Sequence, residues 1–204
     1  SRFSISAYDG SLDVTLADLT LSANAVLTSA SALCEELRNS RVEPCHVAYR
    51  LYVDDVAGVG GQILARAGVD PEPVKKELEG LVNGLTVVQA AFGGRGVTFS
   101  QSFVELMKSA RKEQRLGRDK VIGLDHIALA CADESIESLE ILSTLGLGVA
   151  DVRPAVEKLK GSAQVVLSPR PSPEDGAESE SSAGEQLAQL ASDDADDDSL
   201  YEDY

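Results

Sequence analysis

An all-α fold, a pseudo-twofold tandem repeat of two four-helix units with a disordered acidic C-terminal tail, is what this sequence predicts, and three observations predict it. Val42–Leu51 (VEPCHVAYRL) and Val121–Cys131 (VIGLDHIALAC) share a β-branched lead, a short turn and a histidine that opens an apolar run. The echo continues downstream: GQILARAGVD, ending at Asp70, is answered by LEILSTLGLG, ending at Gly148, and VKKELEGL (Val74–Leu81) by VRPAVEKL (Val152–Leu159). The offset is 80 residues between His46 and His126 and 78 between Gly68 and Gly146, so one supersecondary unit is used twice with small loop changes. Finally, residues 162–204 hold 12 acids and one base, which leaves 22 acids against 17 bases, a net of −5, in residues 1–161. Such a tail cannot bury a core.

In chain order, Ser1–Asp18 is polar and irregular and reads as a flexible lead. The double-repeat domain spans 19–161, with copy 1 at 19–82, a linker at 83–98 and copy 2 at 99–161. In copy 1, Leu21, Ala25, Leu27, Ala30, Leu33 and Leu37 recur at intervals that predict one helical face. Pro44 presets the first turn of a helix from about Cys45 to Asp54. Ile63, Leu64 and Ala67 resume the pattern until Gly68, a left-handed C-cap, and Asp70-Pro71 starts the next helix to about Val82. Copy 2 reads as a long helix over 99–116, a short one over 124–132 carrying His126, then 135–145 stopped by Gly146, then 151–160. Gly93, Gly94 and Gly96 make the linker pliant.

Composition excludes several classes. Cys34, Cys45 and Cys131 are too few and too widely spaced for a zinc site or a disulfide framework, which suits a reducing, cytoplasmic compartment, with a mitochondrion or plastid also open. There is no apolar run of membrane-spanning length. Arg111, Lys112, Arg115, Arg118 and Lys120 are the one basic cluster, and in an acidic chain with few aromatics they read as a solvated helix end, not a nucleic-acid footprint. The glycine-rich linker lacks the lysine and hydroxyl of a phosphate-binding loop, so no ATPase activity and no cofactor are expected of this chain.

His46 and His126 each open an apolar helix in a repeated turn, and with Gly68 and Gly146 they read as structural repeat anchors; no H-E-x-x-H or G-x-S-x-G motif supplies chemistry. Asp54-Asp55 and Asp133-Glu134 follow the two histidine helices and read as wet surface acids. No catalytic residue and no metal ligand is predicted.

VEPCHVAYRL and VIGLDHIALA resemble the paired E-P-x-H-L and I-x-x-E-H-L segments of the Clp amino-terminal (Clp R) domain. The resemblance covers about Leu19 to Gly161, and the connection LTVVQAAFGGRGVTFSQSFVELM with the closing VEKLKG is most similar to the ClpB disaggregase type. It implies a client- or adaptor-binding N-terminal module of an ATP-driven, homo-hexameric protein disaggregase, monomeric by itself. Unfolded or aggregated protein and co-chaperones would be its partners, with no nucleic acid and no membrane, and ATP and magnesium would bind only in the rings of a full-length parent. The alternative is a stand-alone Clp adaptor or scaffold without rings. The ClpC branch uses an acid before each histidine to bind phosphorylated arginine; Asp125 keeps the second acid but Cys45 replaces the first, so that activity does not carry over. The mouth of copy 2 supplies the partner-binding candidates Phe99, Phe103, Leu106, Val121 and Ile122, apolar side chains for a shallow client groove between helices.

Overall fold

The computed structural model describes residues 4–6, 12–88 and 97–167, with side chains at 12–88 and 97–161. Its elements in chain order are β1 (Ser4–Ser6), β2 (Asp13–Thr15), α1 (Leu21–Glu36), β3 (Arg41–Val42), α2 (Pro44–Tyr52), α3 (Gly60–Ala67), α4 (Pro71–Asn83), β4 (Thr98–Phe99), α5 (Gln101–Leu116), α6 (Leu124–Cys131), α7 (Glu140–Leu142) and α8 (Val149–Leu167). The fold is helical, as predicted, with strands of only two or three residues among the described residues.

The two 16-residue helices, α1 and α5, each begin at a hydroxyl cap that satisfies one orphan donor of the first turn. The Ala23 N–H donates to Thr20 Oγ1 at 3.2 Å, and the Phe103 N–H to Ser100 Oγ at 3.0 Å. α4 starts the same way, with Asp70 Oδ1 accepting from the Glu72 N–H at 3.0 Å. Gly68 ends α3 at φ +72°, and its counterpart Gly146 stands at φ +86°, both in the left-handed region where a side chain is strained. Gly60 is glycine for a different reason. A Cβ there would lie 1.8 Å from the Leu51 carbonyl oxygen, because α3 packs directly on the end of α2.

In the first half α2 packs on α1 and α4; in the second α6 packs on α5 and α8, and α3 crosses to α8. One apolar cluster runs through both halves, with Leu27, Leu51, Phe103 and Ile127 among its members. The halves also exchange backbone. Strand β4, which leads into α5, pairs in parallel with β3, which leads into the His46 helix, at Arg41–Thr98 and Val42–Phe99. Eighty residues away Leu19 bridges Ile122 in the same sense, with the Ile122 N–H donating to Asp18 O at 2.7 Å and the Thr20 N–H to Ile122 O at 3.0 Å. Each half therefore lends its entry strand to the other's histidine turn.

Four expectations are corrected. The lead is not loose at its inner end: β2 pairs with β1, and Leu12 and Val14 are buried in the core. The buried face of α1 is Ala23, Val26, Leu27, Ala30, Leu33 and Cys34, whereas Leu21 and Ala25 face solvent. The third helix of copy 2 is a kinked run of short turns from Glu137 to Leu147, broken by the left-handed Gly146. α8 runs past the predicted boundary at 161 to Leu167. Gly93, Gly94 and Gly96 of the linker and the tail from 168 to 204 lie outside the described residues.

Candidate functional site

The two histidine turns are built by one device. The ring Nδ1 of His46 accepts the Glu43 N–H at 2.9 Å and its Nε2 meets Asn39 Oδ1 at 2.9 Å. His126 accepts the Gly123 N–H at 2.8 Å and its Nε2 meets Asp119 Oδ2 at 2.9 Å. With Nδ1 accepting a backbone N–H, the Nε2–H must donate, so the side chain seven residues earlier has to be an acceptor. Arg38 and Arg118, one residue before those acceptors, adopt matching left-handed φ of 55° and 57°. The turn thus fixes the ring at both nitrogens and leaves none for chemistry.

The electrostatics of the turns differ. Around His46 the surroundings are dry: burial, with help from the Arg50 guanidinium, pulls the imidazole down to about 4, and burial, with help from the Glu43 carboxylate, pushes the Cys45 thiol up to about 12. Around His126 the surroundings are charged. Lys160 Nζ reaches Asp119 at 3.0 Å and Asp125 at 2.5 Å, and its hydrogen bond, joined by that from His126, holds the Asp119 carboxyl below its usual range. Asp119, Asp125 and His126 place potential ligand atoms within 4.8 Å of one another, the spacing of a cation site, but the Lys160 ammonium already pairs with both carboxylates. A short cavity of about 250 Å³ opens beside them, walled also by the Arg153–Glu113 pair at 3.0 and 3.1 Å.

The surface acids are tied down. Asp54 pairs with Arg50 at 2.6 Å, Asp55 Oδ1 accepts the Gly60 N–H at 2.7 Å, and Asp133 accepts from Ser109 Oγ at 2.7 Å and from the Ser135 N–H at 3.0 Å. Asp54, Asp55 and Asp133 thus serve as caps and braces, while Asp54 and Glu134 are exposed, as expected of surface acids.

Of the five partner-binding candidates, three are core. Phe103, Leu106 and Ile122 are completely buried, so they present no apolar area to a partner. Their spacing on α5 and at the α6 lead is that of a packed face, and the same periodicity marks a groove or a core in sequence. Phe99 and Val121 are half-buried, and Phe99 stacks on Phe103 with ring centroids 4.7 Å apart and an interplanar angle of 25°. Exposed apolar residues flank the Leu19–Ile122 bridge instead: Leu16 at 43% and Leu21 at 89% exposure. Leu21 follows Thr20, whose N–H is bonded to Ile122, so it stands at the open end of the seam that carries Val121. Sequence reasoning missed it because Leu21 falls in phase with the helical pattern of α1; the 80-residue offset, which matches it to the polar Gln101, was the available signal.

The family model described as the Clp repeat (R) N-terminal domain matches residues 18–145. Among curated relatives, the chaperone protein ClpB of Lactiplantibacillus plantarum is 28% identical over 105 residues, 51% of this chain and 12% of the relative. ClpB of Mycobacterium bovis is 24% identical over 152 residues, 74% of this chain and 18% of the relative, so the chain spans less than a fifth of the length of these relatives. Among solved structures, the Hsp104 N-terminal domain from Candida albicans superposes with a TM-score of 0.60 at 20% identity, covering 71% of this chain and 93% of that one. The N-terminal domain of the ClpV1 ATPase of E. coli EAEC Sci1 T6SS superposes with a TM-score of 0.56 at 18% identity, covering 74% and 88%. These likenesses carry the fold. Among the described residues no helix is long and apolar enough to cross a membrane.

Proposed function

The chain belongs to the Clp repeat (R) N-terminal domain family, and from that premise we propose that it is the client- or adaptor-binding module of a ClpB-like protein disaggregase, engaging misfolded or aggregated protein. The observation that carries this reading is the family match over residues 18–145, all of it in a domain that is not an ATPase domain. ATP, magnesium and the ring of a homo-hexameric parent would provide the mechanical step; this chain provides binding alone.

Supporting the reading is apolar surface at the seam between the halves. Leu16 and Leu21 face solvent on either side of Leu19 in the sequence, whose bridge to Ile122 joins the halves next to the half-buried Val121. Apolar area returned from water yields about 25 cal/mol per Å² on contact, enough for weak, sequence-tolerant capture of an unfolded segment. Phosphoarginine recognition does not fit: Cys45 is a buried, neutral thiol, and Asp125 is engaged by Lys160.

Titration of the chain into a fluorescently labelled, reduced and carboxymethylated model protein tests the reading. Saturable binding is expected, weakened several-fold by the double substitution Leu16→Ser and Leu21→Ser at unchanged melting temperature. Absence of binding, or binding indifferent to both substitutions, overturns it.

A further inference from the structure

The outer face of α5 carries Lys108, Arg111, Lys112, Arg115 and Leu116, at the i, i+3, i+4, i+7, i+8 spacing that gathers side chains into one stripe. Together with Leu12 they line a groove of about 410 Å³. Two of the cations are engaged: Lys108 with Glu105 at 3.1 Å, and Arg111 with Asp18 Oδ1 and the Asp13 carbonyl, both at 3.0 Å. Lys112 and Arg115 are exposed and make no salt bridge among the described residues, Lys112 acting on the Asp133 carboxyl only through its charge, and Leu116 is 65% exposed.

The internal repeat shows that the fold does not ask for this stripe. Eighty residues earlier, the same five positions of α1 hold Thr28, Ser31, Ala32, Glu35 and Glu36. That helix has the same length, the same type of cap and the same packing on its histidine helix, with a neutral-to-acidic outer face. A helix C-terminus draws cations in its last turn, but α1 ends without one, and no dipole argument places an exposed leucine there.

We infer that this groove is a docking site for an acidic segment of a partner protein, whose carboxylates lie along Lys112 and Arg115 and whose apolar side chain seats against the exposed Leu116. Charge complementarity selects the occupant. The stripe is only about 12 Å long, eight rises of 1.5 Å from Lys108 to Leu116, and residues 1–161, on which it lies, carry a net charge of −5. A duplex or a membrane would bring phosphates against that acidic surround as well; a short peptide meets the cations alone. The leucine at one end further favours a peptide, since a phosphate backbone has no use for it. The groove shares no lining residue with Leu16 and Leu21, although Arg111 ties it to Asp18 near Leu16, so each surface is tested by its own substitutions.

Anisotropy of a fluorescein-labelled peptide of alternating Glu and Asp with two terminal leucines, titrated with the full chain at low salt, tests the inference. Saturable binding is expected, and it should weaken as salt is raised and the Debye length shrinks. The double variant Lys112→Glu/Arg115→Glu should lose about tenfold or more in affinity, and Leu116→Ser about threefold, with melting temperatures unchanged because all three side chains are exposed. No saturable binding, affinity untouched by the charge reversal, or affinity untouched by Leu116→Ser overturns it. Tighter binding by a single-stranded oligonucleotide or by anionic vesicles, lost in the same double variant, would show that the cations read phosphate and would overturn the peptide assignment.

Discussion

The two histidine turns share a backbone and differ in everything around it. Both hold the ring with Nδ1 on the N–H three residues back and Nε2 on an oxygen seven residues back. In copy 1 that oxygen belongs to Asn39, itself buried, beside a buried thiol. In copy 2 it belongs to Asp119, 41% exposed at its side chain and braced by Lys160. The fold therefore specifies an acceptor and leaves its charge free. Where the surroundings are sealed the acceptor is a neutral amide, because an unpaired buried carboxylate costs several kcal/mol. Where the turn opens to water, a carboxylate with a lysine partner costs little.

The largest effect expected separates the halves at Gly60, whose close approach to Leu51 O belongs to copy 1 alone among the described glycines. Gly60→Ala has to push α3 away from α2 and should cost about 3 kcal/mol or more, read as a collapse of the melting temperature. An equal loss in Gly61→Ala, where the nearest atom is the movable Asp55 carboxylate at 3.1 Å, would show that the approach is not the cause.

Removing each ring sharpens the contrast. His46→Ala leaves the Glu43 N–H and the Asn39 amide without partners in a sealed site and opens a cavity, at about 3 kcal/mol. His126→Ala orphans the Gly123 N–H, but Asp119 keeps Lys160 and water, so about half that loss is expected. Chemical denaturation of both variants checks the order; a greater loss at His126 would reverse the assignment of the dry turn.

Acid should reach the two turns in separate windows. His46 sits at about 4 when folded against an ordinary 6.5, so the native state binds fewer protons than the unfolded one between those values. Its contribution is complete above pH 6.5 and is lost as pH falls toward 4, amounting to about 3 kcal/mol at full loss. Asp119 is shifted below its ordinary 3.8, so its share is complete above that value and disappears only below it. Stability measured from pH 7 to 3 should therefore fall first with the His46 slope, and His46→Gln should remove that slope. A profile flat from 6.5 to 4.5 would contradict the burial of His46.

Much of this was legible in the sequence because its signals are local. The Asp70 cap, Pro44, Gly68 and the paired histidines announce helix starts and stops at fixed offsets. What was not legible depends on long-range packing. Leu12 and Val14 look like polar-lead residues until β2 folds back on the core. Phe103, Leu106 and Ile122 look equally like groove or core, and only the crossing of β4 onto β3 and of Leu19 onto Ile122 decides for core. The exchange of entry strands was written in the 80-residue offset, which aligns Leu19 with Phe99 and Val42 with Ile122, but a repeat gives equivalence of positions and not who pairs with whom.

The smallest effect expected is the most pointed. Asp119→Asn gives copy 2 the acceptor that copy 1 uses, so if the turn needs only an acceptor, the His126 Nε2–H keeps its bond to the amide oxygen. What disappears is one of two charge contacts to Lys160, which retains Asp125. Exposed pairs of this kind contribute about 0–1 kcal/mol, so the variant should lose less than about 1 kcal/mol and should show a flatter stability profile below pH 4, where the native carboxylate no longer needs protonating. The partner experiment, Asn39→Asp, places a carboxylate where water does not reach; it should cost more, and should draw the His46 imidazole upward from about 4 as the ring is recruited to neutralise it. Equal losses in the two variants would mean that exposure does not set the acceptor's charge, and the contrast between the turns would then need a cause other than their access to water.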